Sequence, residues 1–335
     1  MSAAWTKSSL AWTRAHWPRI RKVTTAGFIC LVIVLLCMAA TRIEWGEVLG
    51  AIGAMPGPVL WTAALISAAS YVLYSSFDLV GKHYTGHDLA WWRAMMVGFI
   101  SYAFTMNLGA PVGGVGLRLR LYTRQGLKQG VVMRVMALSL ASNWIGYSML
   151  AGVVFAAGAV ALPAEWELGN GALRLIGVGM ALAGLAYLGL CGFSKTRSWT
   201  VWGHEIELPS LGMAVLQMCI AMLNWALIAA VIYVLLQQKV AYPLVLGTLL
   251  ISAIAGALAH IPGGLGVIES LFIAVLASPD LPRFKILGAI LVYRAVYYIG
   301  PLLIAGTWYL AAEAKMGQGR KTGKSDVRCT NYPYR

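Results

Sequence analysis

Of 335 residues, 59% are hydrophobic and only 11% are charged, and mean hydropathy is +0.73. A soluble domain carries about a quarter charged residues, so an ordinary soluble fold is excluded and a polytopic, all-α membrane protein is expected. The net charge of +14 does not point to nucleic acid, because the basic residues stand in blocks beside apolar segments, where they orient a membrane protein and meet anionic headgroups.

Residues 1–22 form a basic N-terminus with Arg14, Arg19, Arg21 and Lys22 close to the first apolar run, Val23 to Ala40. No small-residue cleavage site clearly ends that run, and Arg42, Ile43 and Glu44 follow it, so it reads as a retained span rather than a signal peptide. Further runs at 58–80, 131–160, 173–192, 211–236 and 284–312 bring the full spans to about six, since about 20 helical residues cross the hydrocarbon.

Two apolar segments differ from these. Segment 94–117 is broken by Ala110-Pro111-Val112-Gly113-Gly114-Val115-Gly116, and segment 243–278 by Ile261-Pro262-Gly263-Gly264-Leu265-Gly266. Proline removes a backbone donor and glycine loosens the helix, exposing polar backbone that is tolerable at membrane depth only where protein or a water-filled cavity covers it. After the second break, Val267 to Ser278 offers about 18 Å of helix, too short to cross, so both segments are expected to be re-entrant helical hairpins.

Charge placement favours the same topology. With both hairpins re-entrant and the N-terminus inside, the cytoplasmic segments hold 20 Lys and Arg and the outside segments hold five: Arg42, Arg174, Lys239, Arg283 and Lys285. Making each broken segment a complete span would move Arg118, Arg120, Arg124 and Lys128 outside and bring Glu165 and Glu167 in. Both termini are therefore expected in the cytoplasm.

This topology exposes a repeat. The hairpin glycines Gly113 and Gly263, the span starts near 23 and 173, and those near 131 and 284 share an offset of about 150. Each half reads span, span, hairpin, span, and the halves begin on opposite sides. Residues 23–162 and 163–312 are thus two inverted repeats, with hairpins 94–117 and 243–278, an arrangement that yields a pseudo-symmetric transport site near the bilayer midplane. The loop Lys195 to Ser210 alternates as a small interfacial β-hairpin around Gly203-His204, and the basic tail 313–335 is expected to be disordered and cytoplasmic.

Polar groups inside apolar segments narrow the site, because a charge at the bilayer centre costs on the order of 3 kcal/mol. Glu269 and Arg294 either pair with each other or serve substrate or proton coupling; Asp78, near the cytoplasmic end of its span, reaches water. Arg118 and Arg120 follow the first break and suit an anionic headgroup, a guanidinium fork matching phosphate oxygens, although positive-inside anchoring accounts for Arg124 and Lys128. Asn143 and Asn224 either hydrogen-bond between helices, the expected use, or line a cavity. His260 either shuttles protons or satisfies a neighbouring carbonyl.

Several enzyme signals fail. Gly319-Arg320-Lys321-Thr322-Gly323-Lys324-Ser325 approximates a phosphate-binding loop, but its first glycine is one residue late and no strand precedes it. His83 and His87 have i, i+4 spacing, yet Gly86 intervenes and no glutamate accompanies them. Neither a nucleophile elbow nor a paired cysteine spacing occurs, so no cofactor, metal or catalytic residue is expected.

The segments Asn107 to Arg118, His260 to Glu269 and Tyr293 to Tyr298 resemble the lysylphosphatidylglycerol synthase/flippase transmembrane domain family, in particular its YbhN-type inner membrane branch, over about residues 20–315. The resemblance implies a bacterial inner-membrane protein that handles an amphiphilic lipid between leaflets. Its motif transfers Asn107, Gly113, Gly114 and Arg118 to the first hairpin, His260, Pro262, Gly263, Gly264 and Glu269 to the second, and Arg294 to the last span. Arg120 joins the expected substrate-binding set, while His260, Glu269 and Arg294 form the expected gating or proton-coupling set. The family's lysyl-lipid enzymes carry a soluble transferase domain after the membrane part, so with a short tail beyond Ala312 no aminoacyl transfer is expected. Membrane phospholipids are the expected partners. A second reading makes the chain a non-catalytic partner that delivers or receives lipid for a phospholipid-synthesising enzyme. The oligomeric state is left open.

Overall fold

The computed structural model describes residues 45–163, 166, 169–194, 198–201, 204–259 and 262–322. After the short helix α1 (Trp45–Gly53), Pro56 and Pro58 set the first turn of α2 (Gly57–Thr85), where a missing N–H costs nothing, and Gly86 ends it in a left-handed cap at φ 64°. Helix α3 (Trp91–Leu108) leads into a π-helical segment, Ala110–Leu117, and then α4 (Arg118–Arg124). Helices α5 (Gln129–Ala156) and α6 (Asn170–Phe193) follow, and β1 (Ser198–Val201) pairs antiparallel with β2 (His204–Glu207). The alternation around Gly203-His204 therefore does form the expected small hairpin.

Helix α7 (Leu211–Leu235) is capped by Ser210, whose hydroxyl accepts from the Met213 N–H at 3.3 Å. Helix α8 (Tyr242–Ala259), one 3₁₀ turn at Pro262–Gly264 and α9 (Val267–Leu276) make the second broken segment. The last apolar stretch is α10 (Arg283–Tyr293), a π-helical turn at Arg294–Ile299, and α11 (Gly300–Thr322).

Among the described residues the regular structure is thus helical apart from that β-hairpin, and six helices are long and apolar enough to span: Gly57–Thr85, Gln129–Ala156, Asn170–Phe193, Leu211–Leu235, Tyr242–Ala259 and Arg283–Ala311. Five match expected spans. The sixth, Tyr242–Ala259, is the first arm of the second broken segment, and the expected span at 23–40 lies outside the described residues. One boundary is corrected: α11 runs to Thr322, into the tail expected to be disordered from 313. The strong helix formers Ala311-Ala312-Glu313-Ala314-Lys315-Met316 carry it on.

The bundle is organised for an apolar surround. Helix α2 turns Ser67, Ser70, Tyr71, Ser75 and Asp78 inward, while its Trp61, Leu65 and Val72 stand on the outside. Hydrocarbon gives buried apolar side chains little advantage, so small and polar residues that permit close packing and hydrogen bonds share the interior with apolar and aromatic ones. Helices α5 and α6 meet through Gly152 and Gly177: a Cβ on Gly152 would stand 2.5 Å from the Ala181 nitrogen and 2.8 Å from the Gly177 oxygen. Gly152→Val should therefore cost about 1–3 kcal/mol by overpacking. Gly179→Val, on the same helix pair with nothing within 4 Å of its Cβ position, should stay within about 0.5 kcal/mol. Thermal unfolding of both variants in detergent checks this, and equal melting shifts would contradict the packing assignment.

Candidate functional site

Breaking a helix strands carbonyls and N–H groups, and each one left unsatisfied in an apolar medium costs several kcal/mol. The two breaks meet this cost in different ways. At the first, Gly109 adopts φ 87° and the chain doubles back on α3, with Gly113 lying on the Phe104–Thr105 backbone so closely that any Cβ would overlap it. The Gly113 N–H donates to the Gly109 carbonyl at 3.1 Å, and a Gly114 Cβ would meet Thr105 Oγ1 at 3.3 Å.

The returning arm is held by a buried carboxylate. Arg118 Nη2 donates to Asp78 Oδ2 at 3.1 Å and the Tyr122 hydroxyl donates to Asp78 Oδ1 at 2.7 Å. Asp78 has no exposed surface and Arg118 is 4% exposed. Space for the carboxylate comes from Gly98 on α3, where a Cβ would stand 2.6 Å from Asp78 Oδ2. Residues 98 and 118 thus face the same carboxylate from the two arms. Asp78 does not reach water as expected, because α3 and α4 close over it.

At the second break Gly263, Gly264 and Gly266 have φ values of 65°, 58° and 81°, left-handed conformations that a side chain would strain. Arg294, opening the π-helical turn of the last apolar stretch, satisfies the exposed backbone. Its Nη1 donates to the Gly263 carbonyl and its Nη2 to the Gly264 carbonyl, each at 3.0 Å. Its Nε and Nη2 also form a two-pronged pair with Glu269, the Nη2 bond being 3.0 Å. Glu269 in turn accepts from the Gly266 N–H at 2.9 Å, capping α9. Of the two uses open to Glu269 and Arg294, mutual pairing is therefore realised.

The breaks also meet each other. A Cβ on Gly263 would lie 3.2 Å from the Met106 carbonyl at the end of α3, and Asn107 Nδ2 donates to the carbonyls of Ala103 at 2.8 Å and Tyr298 at 3.1 Å. Between the ion pairs lies a polar aromatic core that sequence reading passed over. Tyr297 shares hydrogen bonds with Ser70 at 2.7 Å and Tyr102 at 3.0 Å, and its carbonyl accepts from the Tyr71 hydroxyl at 3.0 Å. Tyr74 stacks on Tyr102 at a centroid distance of 3.6 Å. The clustering of Tyr71 with Tyr74 and of Tyr293 with Tyr297 and Tyr298 inside apolar segments was the available signal.

Among the expected site residues, Asn107, Gly113, Gly263, Gly264, Glu269 and Arg294 come together around the breaks. Gly114 lies beside Thr105, and Pro262 opens the 3₁₀ turn. Arg118 is engaged by Asp78, and Arg120, two residues on, is half-buried. His260 lies outside the described residues. Asn224 makes the expected interhelical bond, accepting from Ser70 at 2.8 Å; Asn143 makes none among the described residues. No three His, Cys, Asp or Glu side chains converge among the described residues.

Removing one partner from a buried pair strands the other charge, at a cost of about 3–5 kcal/mol. Asp78→Ala and Arg118→Met should each lower thermal stability in detergent by that order, and Asp78→Leu/Arg118→Met should recover most of it. Additive losses in the double variant would show that the pair does not act as a unit.

Residues 25–305 match the family described as the lysylphosphatidylglycerol synthase TM region. The chain is 42% identical to inner membrane protein YbhN of Escherichia coli (strain K12) over 300 residues, 90% of this chain and 94% of that one. It is 22% identical to a phosphatidylglycerol lysyltransferase of Staphylococcus haemolyticus (strain JCSC1435) over 85% of this chain but 34% of that enzyme. A phosphatidylglycerol lysyltransferase of Staphylococcus aureus (strain MRSA252) is 24% identical over 85% of this chain and 33% of its own. With a match across most of its length and a bundle of six membrane-length apolar helices, this chain is a membrane protein of the lysylphosphatidylglycerol synthase TM region family.

Proposed function

We propose that this protein handles an anionic phospholipid between the leaflets of the bacterial inner membrane, as a flippase-like transporter rather than an enzyme. The observation that carries the reading is the apposition of two broken helices, each returning arm held to a neighbouring span by an ion pair, buried at Asp78–Arg118 and partly buried at Glu269–Arg294. Irregular backbone placed this way is where transporter sites are built.

In this reading the segments 94–117 and 243–278 are re-entrant hairpins entering from opposite faces of two inverted repeats, 23–162 and 163–312, with both termini cytoplasmic. Element boundaries support the repeat: α3 and α8 run over 91–108 and 242–259, and α2 and α7 end at 85 and 235. Hairpin geometry is supported by the contacts of residues 98 and 118 with one carboxylate. The name of the 42%-identical relative supports the inner-membrane location.

Asn107, Gly113, Gly114, Pro262, Gly263 and Gly264 would bound the path, and Arg118 and Arg120 would set its positive potential. Glu269 with Arg294, and His260, would form the gate: opening the second break requires Arg294 to release the Gly263 and Gly264 carbonyls.

A second reading, delivery of lipid to a separate phospholipid-synthesising enzyme, draws on one fact. In the Staphylococcus haemolyticus lysyltransferase the matching region makes up only 34% of the chain. Reconstitution in liposomes with labelled phosphatidylglycerol and phosphatidylcholine separates the two. Wild type should exchange phosphatidylglycerol between leaflets faster than protein-free vesicles, and Glu269→Gln should slow exchange about tenfold, equivalent to ~1.4 kcal/mol on the barrier. Exchange at the protein-free rate would remove autonomous translocation, and retained lipid binding would then favour delivery to a partner.

A further inference from the structure

Away from the ion pairs, a cleft of about 640 Å³ opens between the loop preceding α3 and the loop joining α4 to α5, and a second of about 370 Å³ lies between the same first loop and the end of α2. His87 and Asp88 line both. Arg93 and Lys128 line the larger and Lys82 the smaller, so the larger cleft holds two permanent cations and one carboxylate. Neither Arg93 nor Lys128 has an ion pair among the described residues, and the Lys82 ammonium donates to the His87 carbonyl at 2.7 Å.

Two further features indicate what would fill it. Trp91 and Trp92 start α3 beside Arg93 and are 65% and 49% exposed, the placement of indoles at headgroup depth in a bilayer. The wall of the cleft is also continuous with the anchor of the first break: the His87 ring packs edge-on against Tyr122, whose hydroxyl donates to Asp78. Within this loop, burial and the neighbouring Lys82 ammonium pull the His87 imidazole below its ordinary range, which leaves Arg93 and Lys128 to supply charge at neutral pH.

We infer that this cleft is a docking site for the phosphate of an anionic phospholipid headgroup, with Arg93 and Lys128 as its ligands, at the base of the first broken segment. Both a guanidinium and an ammonium bind phosphate, one as a fork and one as a point charge. The site rests on the lipid-handling reading and deepens it by giving the anionic headgroup a place of arrival, and it stands apart from the buried Arg118, whose carboxylate partner already occupies it. The His87–Tyr122–Asp78 contacts connect an occupied cleft to the returning arm of the break.

Native mass spectrometry of the full-length protein in detergent, with phosphatidylglycerol or phosphatidylcholine added, tests the inference without requiring translocation. Arg93→Gln/Lys128→Gln should weaken phosphatidylglycerol retention about 10- to 30-fold, the effect of two interfacial cations, and leave phosphatidylcholine unchanged. Arg134→Gln, an exposed cation on α5 outside the cleft, should retain phosphatidylglycerol as wild type does. Undiminished retention by the double variant, or an equal loss in Arg134→Gln, would overturn the site. Displacement of phosphatidylglycerol by millimolar inorganic phosphate would assign the cleft to a free anion and overturn the headgroup assignment. Selective retention together with leaflet exchange at the protein-free rate would leave the cleft standing and remove only the flippase reading.

Discussion

Backbone polar groups released by a broken helix have to be satisfied inside an apolar bundle, and the rest of this structure is arranged around that requirement. At the second break one side chain does most of the work. Arg294 spreads its donors over the Gly263 and Gly264 carbonyls and both Glu269 oxygens, and Glu269 closes the circuit by capping α9 through the Gly266 N–H. Neither charge is left uncompensated, and three left-handed glycines make the turn sterically accessible. At the first break the backbone is covered instead by close approach, Gly113 lying directly on α3, while Arg118 and Asp78 fix the arm that returns.

The two anchors have opposite polarity. In the first the cation sits on the returning arm and the carboxylate on α2; in the second the carboxylate sits on the returning arm and the cation on the last apolar stretch. Arg118 and Glu269 lie at the starts of the two returning arms, 151 residues apart. A network of tyrosines, Ser70 and Asn224 between them joins α2, α3, α7 and the π-helical turn at Tyr297. π-helical turns at Ala110–Leu117 and Arg294–Ile299 fall where these anchors are attached, and such turns are concentrated at functional positions.

Much of the fold was legible from residue order. Five of the expected spans coincide with long apolar helices, because runs of about 20 apolar residues have little alternative in a membrane. The breaks were legible because proline and glycine act locally: the left-handed backbone at Gly263 and Gly264 is a property of those residues. Helix α11 was misjudged past residue 313, since polarity was read as disorder although the residues there favour helix. The pairing of Glu269 with Arg294 was one of two readings left open, and a spacing of 25 residues could not choose between them.

The sequence by itself determined that the chain is a helical membrane protein, where its helices break, and which family's motifs it carries. These follow from composition, from the backbone chemistry of glycine and proline, and from short contiguous patterns. Only the tertiary structure decided which charges meet. Asp78 lies 40 residues from Arg118 in sequence, and whether it faces water or a guanidinium depends on α3 and α4 closing over it at Gly98. Likewise the tyrosines that hold the core, and the cleft that Arg93 and Lys128 both line, exist because segments distant in sequence are brought together.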